Sequence, residues 1–463
     1  MHSVRAIPLF SLLWLLALPL SVLGAATVNG DLPRQADLGF STSTEDGRLE
    51  VVKVTAGSPA ARAGLAVGDR ILEINRQSFE KPYHGAAALQ RLDGGKRLTL
   101  AVSRDGVTRT VAYTPPARPL EDVPGVESLY DVVTAPDGAR LRTIVTRPSG
   151  STTRLPVIFF TQWVSCGSLE FTSGGLAREI LKQLALQSGA ALIRVERAGS
   201  GDSEGPACHE LDYDTELAHY RHALDATLAR YDWLDRDRVV VYGSSLGATM
   251  APLVAQGRKV AGVIVQGGGA VTYLERMIAF DRQQLERTDV PLGDIHEQMQ
   301  RQIAFHVEYL VRRRDPDAIA KDGPEMAAAR ASIRGLGDGE HYGRPYAWHQ
   351  QAARRDFLEA WSTIDAPVLV IHGEYDQFES RHGHELIATA VNRRHPGRAT
   401  FLAIPRMDHE GDVYDTVEQA YVWEHPVSGP PEAAARLQTG PMLRWLRDVA
   451  GVTPARPTAT PSR

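Results

Sequence analysis

Val239-Val240-Val241-Tyr242-Gly243-Ser244-Ser245-Leu246-Gly247 is the stretch of the chain that decides the fold. Four apolar residues, typical of a buried strand, lead directly into the pattern G-x-S-x-G, and the run Leu246 to Ala255 after it has a helical composition. A strand–turn–helix of this kind imposes unfavourable backbone angles on the serine. Only small flanking residues let the strand and the helix pass close enough for such a turn. The turn pushes the serine hydroxyl outward, so we expect Ser245 to be a nucleophile.

A serine hydroxyl is a weak nucleophile at neutral pH and needs an imidazole to accept its proton and an acid to orient that imidazole. The segment Ile371 to Asp376 places carboxylates just past the carboxyl end of an apolar strand, where sites in parallel sheets gather. Asp376 is the predicted acid and Glu374 is the alternative. His409 follows the last predicted strand and is the predicted base.

The negative oxygen formed when such a serine attacks a carbonyl group needs backbone N–H donors that are fixed in advance. The Leu246 N–H, directly after the serine, is the first predicted donor. The second belongs to the loop after the apolar strand Val157 to Thr161, where Gln162 and Trp163 are both candidates. The sequence leaves the choice between these two residues open.

Outside the serine motif, the second part of the chain alternates apolar strands with helical stretches, which predicts a mainly parallel sheet covered by helices on both faces. Between residues 274 and 361 the strand signal disappears, and polar-rich helical patterns predict a helical insertion. Its aromatic residues either line a substrate pocket or belong to an ordinary core: Tyr342, Tyr346, Trp348 and Trp361.

These features together resemble the α/β-hydrolase family, over about Glu121 to Val449. Arg197-Ala198-Gly199-Ser200-Gly201-Asp202-Ser203-Glu204-Gly205 is similar to the family's Arg-Gly-x-Gly-x-Ser turn, and Pro367 to Asp376 is similar to its acid-bearing strand and loop. The resemblance implies an α/β-hydrolase domain over residues 125–450, with the insertion in the position of a lid. The common His-Gly pair is replaced here by Thr161-Gln162.

A small β-rich unit precedes this domain, at residues 36–114, and a proline-rich linker at residues 115–124 separates the two. Asp37-Leu38-Gly39-Phe40 and Gly68-Asp69-Arg70-Ile71-Leu72 resemble a bacterial PDZ domain. The resemblance implies that the amides of Leu38, Gly39 and Phe40 hold the carboxylate of a peptide C-terminus, while the peptide adds a strand to the sheet. Docking against the larger domain is the alternative role.

The first 26 residues are typical of an export signal that is cleaved: Arg5, an apolar run from Ile7 to Leu20 and then small residues. The run is shorter than the roughly 20 residues that span a bilayer, so we expect no stable membrane insertion and a periplasmic or secreted protein. Residues 451–463 are rich in Pro and Thr and are predicted to be a disordered tail.

The two cysteines, Cys166 and Cys208, are expected to form a disulfide, because export places them where such bonds persist. A catalytic thiol is the alternative, but neither residue lies on a strand–turn–helix. In the α/β-hydrolase resemblance the two residues follow neighbouring strands, which implies that the disulfide braces the rim of the site.

Composition narrows the range of functions. The formal net charge is −5, and Lys and Arg are scattered, so no positive face for nucleic acid is expected. No metal-ligand spacing and no cofactor motif stands out. The reaction predicted is cleavage of a carboxylic ester or related small acyl compound through an acyl-serine, without a cofactor; a serine peptidase acting on small peptides and a non-catalytic PDZ peptide-binding protein are the alternatives.

Overall fold

The computed structural model describes residues 27–44, 47–287 and 290–452. The predicted leader and nearly all of the predicted tail lie outside the described residues. The strands are β1 (Thr27–Asn29), β2 (Phe40–Ser43), β3 (Glu50–Val54), β4 (Arg70–Ile74), β5 (Gln77–Ser78), β6 (Leu98–Arg104), β7 (Val107–Tyr113), β8 (Val126–Thr134), β9 (Arg140–Pro148), β10 (Leu155–Thr161), β11 (Ala191–Val195), β12 (Leu234–Ser244), β13 (Gly262–Gln266), β14 (Glu340–His341), β15 (Arg344–Pro345), β16 (Val368–Gly373) and β17 (Ala399–Ile404).

Two short helices belong to the small domain, and the others cover the faces of the larger sheet or build the insertion. They are α1 (Pro59–Arg62), α2 (Pro82–Leu89), α3 (Leu176–Gln187), α4 (Tyr213–Arg230), α5 (Gly247–Ala255), α6 (Tyr273–Glu286), α7 (Leu292–His306), α8 (Pro316–Ile319), α9 (Pro324–Ser332), α10 (Tyr346–Ala353), α11 (Phe357–Ser362), α12 (Arg381–Arg394), α13 (Val417–Val422) and α14 (Pro431–Asp448).

The larger sheet has the order β1-β8-β9-β11-β10-β12-β13-β16-β17 within the described part of the chain. All neighbours from β11 to β17 are parallel, and only β9 runs antiparallel to its neighbours β8 and β11. The carboxyl ends of β10, β12, β13, β16 and β17 therefore meet at one edge. The predicted fold class, a mostly parallel sheet between helices, is confirmed.

Alternation along the central strands fills two cores, one on each face of this sheet. Val239 and Val241 pack in a cluster with α4, α5 and the insertion, whereas Val240 and Tyr242 pack with α3 and α14. Because both faces of the sheet are buried, Val239 to Tyr242, the part of β12 just before the serine turn, is a continuous apolar run.

The first sheet of the chain is antiparallel, with the order β2-β3-β4-β6-β7 and with β5 paired to β4. Its own core includes Leu49, Val51 and Leu100. β6 and β7 are joined through Asp105 and Gly106, which both have positive φ (52° and 76°), as a two-residue hairpin requires. The predicted PDZ-like unit is confirmed.

The sequence prediction lacks four short strands: β1, β5, β14 and β15. β1 precedes the small domain in the chain but pairs in parallel with β8 of the larger sheet. Within the helical insertion, β14 and β15 form a hairpin that turns at Tyr342 and Gly343. Strands of two or three residues give no recognisable period, and their pairing is set by tertiary contacts.

The two domains touch through ion pairs and hydrogen bonds. In the segment that leads into the small domain, Arg34 Nη1 lies 2.5 Å from Asp202 Oδ2, and the N–H of Gln35 donates to Asp202 Oδ1 at 2.8 Å. From the small domain itself, Lys81 Nζ donates to the carbonyl oxygen of Asp338 at 2.7 Å. The small domain therefore contacts the helical insertion of the larger domain through Lys81 and Asp338.

Cys166 and Cys208 form a disulfide, as the sequence predicts. It joins the loop after β10 to the loop before α4. In the described residues, no helix combines the length and apolar character needed to cross a bilayer.

Replacing both cysteines by serine should lower the free energy of unfolding by about 4 kcal/mol, because the bond closes a loop with a sequence separation of 42 residues. Denaturant unfolding measures the loss, and wild-type protein treated with a reductant is the matched control. Equal stability of the oxidised wild type and the double variant would contradict this expectation.

Candidate active site

Ser245 lies directly after β12, at the turn into α5, with φ of +54°. A positive φ is unfavourable for a serine and persists only where the surroundings hold it. The N–H of Ser245 donates to the carbonyl oxygen of Gln266 at 2.8 Å, which fixes the turn against the neighbouring strand β13.

The glycines on either side of the serine allow the close approach that the turn requires. A Cβ atom at Gly247 would lie 2.1 Å from the carbonyl oxygen of Thr161, and a Cβ atom at Gly243 would lie 2.6 Å from that of Gly247. Both distances are far below van der Waals contact. Helix α5 therefore begins directly against the backbone at the end of β10.

Three predicted residues from distant parts of the chain converge at the carboxyl edge of the sheet. Ser245 Oγ is 2.8 Å from His409 Nε2, and His409 Nδ1 is 2.9 Å from both carboxylate oxygens of Asp376. Ser245 is partly exposed, while His409 and Asp376 are buried. The order hydroxyl, imidazole, carboxylate is the geometry that proton transfer from the serine needs.

Asp376, rather than the alternative Glu374, contacts the imidazole. Asp376 Oδ1 also accepts the N–H groups of Phe378 and Glu379, at 2.9 and 2.8 Å, which orients the carboxylate. Glu374 accepts the N–H of Arg406 at 2.9 Å and has a structural role in its own loop.

The protonation equilibria of the pair are coupled. Burial raises the pKa of Asp376, but the charge of His409 and the hydrogen bond to it prevail and hold the pKa at about 2. Burial lowers the pKa of His409, and Asp376 raises it to about 9. The base in this arrangement is the neutral imidazole, and Asp376 stabilises the imidazolium that forms when His409 accepts the Ser245 proton.

The two candidate residues after β10 have different hydrogen bonds. The N–H of Gln162 already donates to Tyr220 Oη at 3.2 Å, and its side-chain amide donates to the carbonyl oxygens of Ser165 and Gly167. No such bond engages the N–H of Trp163 or of Leu246 within the part of the chain that the structure describes. These contacts favour Trp163 over Gln162 as the second donor.

A small cavity, partly open to solvent, lies over Ser245. Its walls are mainly apolar, and Phe280 stacks on Phe378 at 5.1 Å between ring centres. Of the four aromatic residues noted in the insertion, only Tyr342 lines the cavity; the others pack in the core. The lining residues are Val164, Ser245, Leu246, Tyr273, Arg276, Met277, Phe280, Tyr342, Phe378, His409 and Glu410.

Sequence reasoning missed two polar residues at the site. Gln266 accepts from Ser244 Oγ and donates to the carbonyl oxygen of His409, each at 2.9 Å, and so connects the serine turn to the histidine loop. Arg276 lines the cavity, and its Nε is bonded to Glu379. Neither residue belongs to a recognisable motif, and only the position of Gln266 at the carboxyl end of a strand offered a signal.

A cluster of His372, Asp376 and His384 has ligand atoms within 4.8 Å of one another. His384 Nε2 accepts the N–H of Gly268 at 3.1 Å, and its Nδ1 is 2.9 Å from the carbonyl oxygen of Ser380. Both nitrogens of His384 are therefore engaged, and Asp376 is bonded to His409. Of these three side chains, only His372 has a ring nitrogen, Nδ1, without a hydrogen-bond partner among the described residues, and one free nitrogen does not make up a metal-ligand set.

In the small domain, Leu38, Gly39 and Phe40 lead into β2, which ends the sheet and has a single strand neighbour among the described residues. Gly39 has φ of +70°, and its N–H donates to Asp37 Oδ1 at 3.1 Å. The carbonyl oxygen of Leu38 accepts from Tyr113 Oη at 2.8 Å. The loop is thus anchored beside the edge strand of the small sheet.

Comparisons with known proteins agree with this fold. A profile of the alpha/beta hydrolase family matches residues 164–426, which is more than half of the chain, and a PDZ domain profile matches residues 36–114. The chain therefore belongs to the alpha/beta hydrolase family and carries a PDZ domain before the hydrolase domain.

One curated relative, PDZ domain-containing protein 7 of Pongo abelii, is 46% identical over 72 residues, which are 15% of this chain and 7% of the relative. Solved structures that match this chain include an esterase of Pyrococcus furiosus, with 11% identity over 70% of this chain and 92% of the other and a TM-score of 0.40. An esterase of Thermogutta terrifontis has 18% identity over 70% of this chain and 99% of the other, with a TM-score of 0.37. An esterase of Pyrobaculum calidifontis has 19% identity over 72% of this chain and 87% of the other, with a TM-score of 0.40.

The Asp376–His409 pair predicts a pH dependence of stability. The contribution of His409 to the free energy of unfolding is complete below its unfolded-state pKa of about 6.5. It is lost as the pH rises through its folded-state pKa of about 9. The contribution of Asp376 to the free energy of unfolding is complete above its unfolded-state pKa of about 3.9. It is lost as the pH falls through its folded-state pKa of about 2.

The difference in free energy of unfolding between wild type and Asp376→Asn should therefore be largest between about pH 4 and 6.5 and should shrink towards pH 9. Denaturant titrations at a series of pH values measure it. Asp415→Asn, at an exposed ion pair with Arg406, is the matched control. A constant difference from pH 5 to pH 9 would contradict the coupling.

Proposed function

We propose that the protein is an exported serine hydrolase that cleaves a carboxylic ester or a related small acyl compound through an acyl-Ser245 intermediate. The observation that carries the proposal is the chain of hydrogen bonds from Ser245 through His409 to Asp376, at the base of an apolar cavity. The disulfide is compatible with export, because such bonds persist in oxidising compartments.

In the first half of the reaction, His409 Nε2 accepts the proton of Ser245 Oγ while the oxygen attacks the carbonyl carbon of the substrate. The N–H groups of Leu246 and Trp163 stabilise the resulting negative oxygen. As the bond to the leaving group breaks, His409 returns the proton to the leaving oxygen and an acyl-serine remains. In the second half, His409 deprotonates a water molecule, which attacks the acyl-serine; the acid product leaves and Ser245 regains its proton.

The apolar lining of the cavity favours an uncharged acyl group, and the small volume favours a short or single-ring one. A peptidase uses the same three residues. Ester and peptide substrates are therefore distinguished by comparing the rates at which the protein hydrolyses each. For the PDZ domain we propose that a peptide C-terminus binds along β2, because β2 is the edge strand of its sheet, where a peptide can add a further strand.

Ser245→Ala should abolish covalent labelling by a fluorophosphonate probe, whereas Ser362→Ala, in α11 and outside the cavity lining, should retain it. Wild type should hydrolyse p-nitrophenyl esters of short acids with a higher kcat/KM than aminoacyl p-nitroanilides. Labelling that survives in Ser245→Ala would contradict the proposed nucleophile, and the reverse substrate order would favour the peptidase.

Asp37→Asn should strengthen binding of peptides that end in a free carboxylate by about 2- to 5-fold, because it removes a like charge from the loop that holds the peptide terminus. Retention of a peptide pool with randomised C-termini measures the effect, with the same pool as C-terminal amides for comparison. Asp105→Asn, in the β6–β7 turn, changes net charge equally and should have no effect. Equal retention of acids and amides by wild type would contradict carboxylate recognition.

A further inference from the structure

Four consecutive carbonyl groups after β10 converge on one guanidinium. Arg197 Nη2 donates to the carbonyl oxygens of Trp163 and Gln162, at 2.7 and 3.3 Å. Arg197 Nη1 donates to those of Ser165 and Val164, at 2.6 and 3.1 Å. The 162–165 loop has no regular secondary structure, so these bonds take the place of a strand or helix ladder in fixing its shape.

Arg197 is itself held rigidly. It is 4% exposed, and its Nε donates at 3.0 Å to Glu216, a carboxylate that is 2% exposed. Burial acts to lower the pKa of Arg197, but Glu216 raises it, so the guanidinium keeps its charge. Glu216 also accepts from Trp348 Nε1 at 2.9 Å and from Arg344 of β15. The guanidinium thus has a fixed position and a fixed orientation.

The orientation of the carbonyl groups determines that of the N–H groups. In a trans peptide unit the C=O of one residue and the N–H of the next point in opposite directions. Because the carbonyl oxygen of Gln162 is bonded to Arg197, the N–H of Trp163 points away from Arg197. Tyr220 holds the preceding N–H, that of Gln162, so the loop is fixed at two successive peptide units. Val164 of the same loop lines the cavity over Ser245.

We propose that Arg197 is a positioning residue for catalysis, which fixes the 162–165 loop so that the N–H of Trp163 is preorganised as a donor to the negative oxygen of the transition state. The inference rests on the proposed hydrolase function. Arg197 does not contact the substrate; it acts through the backbone. Lysine cannot replace it, because one ammonium group cannot present the planar set of donors that four carbonyl groups share.

Arg197→Lys tests the proposal, and Arg194→Lys is the matched control. Arg194 is also fully buried and is paired with a buried carboxylate, that of Glu121, but it makes no bond to the 162–165 loop. Titration with a fluorophosphonate gives the concentration of active sites, so that kcat is expressed per intact site and a loss of folded protein does not count as a loss of catalysis.

Arg197→Lys should lower kcat by about 10- to 100-fold with KM changed by less than about 3-fold, because a misplaced donor affects only the transition state. The inhibition constant of a trifluoromethyl ketone, which forms a tetrahedral adduct with serine, should rise in parallel with the fall in kcat/KM. Hydrogen exchange of residues 162–167 should become faster. Arg194→Lys should keep its kcat per site within about 3-fold of wild type.

A wild-type kcat per site in Arg197→Lys, or an unchanged inhibition constant for the ketone, would overturn the proposal. Equal losses in Arg197→Lys and Arg194→Lys would also overturn it, since they would indicate a general effect of disturbing buried ion pairs. Failure of the proposed function is a separate outcome, because it appears as a wild-type protein that neither reacts with the fluorophosphonate nor hydrolyses any ester.

Discussion

The close approach of helix α5 to the end of β10 is the constraint on which the rest of the site depends. Gly247 lies against the carbonyl oxygen of Thr161, so closely that any side chain at position 247 would overlap it. The contact brings the first turn of the helix beside the 162–165 loop, and Thr161 Oγ1 reinforces it by donating to the carbonyl oxygen of Gly247 at 2.8 Å. This arrangement places Ser245, Leu246 and Val164 of the 162–165 loop around one cavity.

Buried ion pairs and hydrogen bonds fix the loops around this contact. The Asp376–His409 pair sits on two loops that leave adjacent parallel strands, and Gln266 joins the histidine loop to the serine turn. On the other side, Arg197 connects the 162–165 loop through Glu216 to Arg344 in the β14–β15 hairpin. That hairpin also places Tyr342 in the cavity wall, and Asp338 just before it accepts from Lys81 of the PDZ domain. The loop that borders Ser245 is therefore linked to the contact between the domains.

The sequence predicts those features that depend on strand ends and chain order. Ser245, Asp376 and His409 each follow an apolar strand, and parallel strands deliver such residues to one edge, so the structure brings together the three residues that the sequence proposes. The choice between Gln162 and Trp163 was beyond the sequence, because it depends on a bond to Tyr220 from another element. The sequence shows Arg197 as part of a turn motif. It does not show the four carbonyl groups that Arg197 binds, because they belong to a loop distant in the chain. The strand β1 and the β14–β15 hairpin are too short to have a period.

The most direct test of the account is a crystal structure of the protein after reaction with a p-nitrophenyl alkylphosphonate, which leaves a tetrahedral phosphorus in the position of the reacting carbonyl carbon. We expect phosphorus bonded to Ser245 Oγ, with one phosphonyl oxygen about 2.7–3.1 Å from the N–H nitrogens of both Leu246 and Trp163. Phosphorus bonded to another side chain, or a phosphonyl oxygen directed away from both N–H groups, would contradict the account.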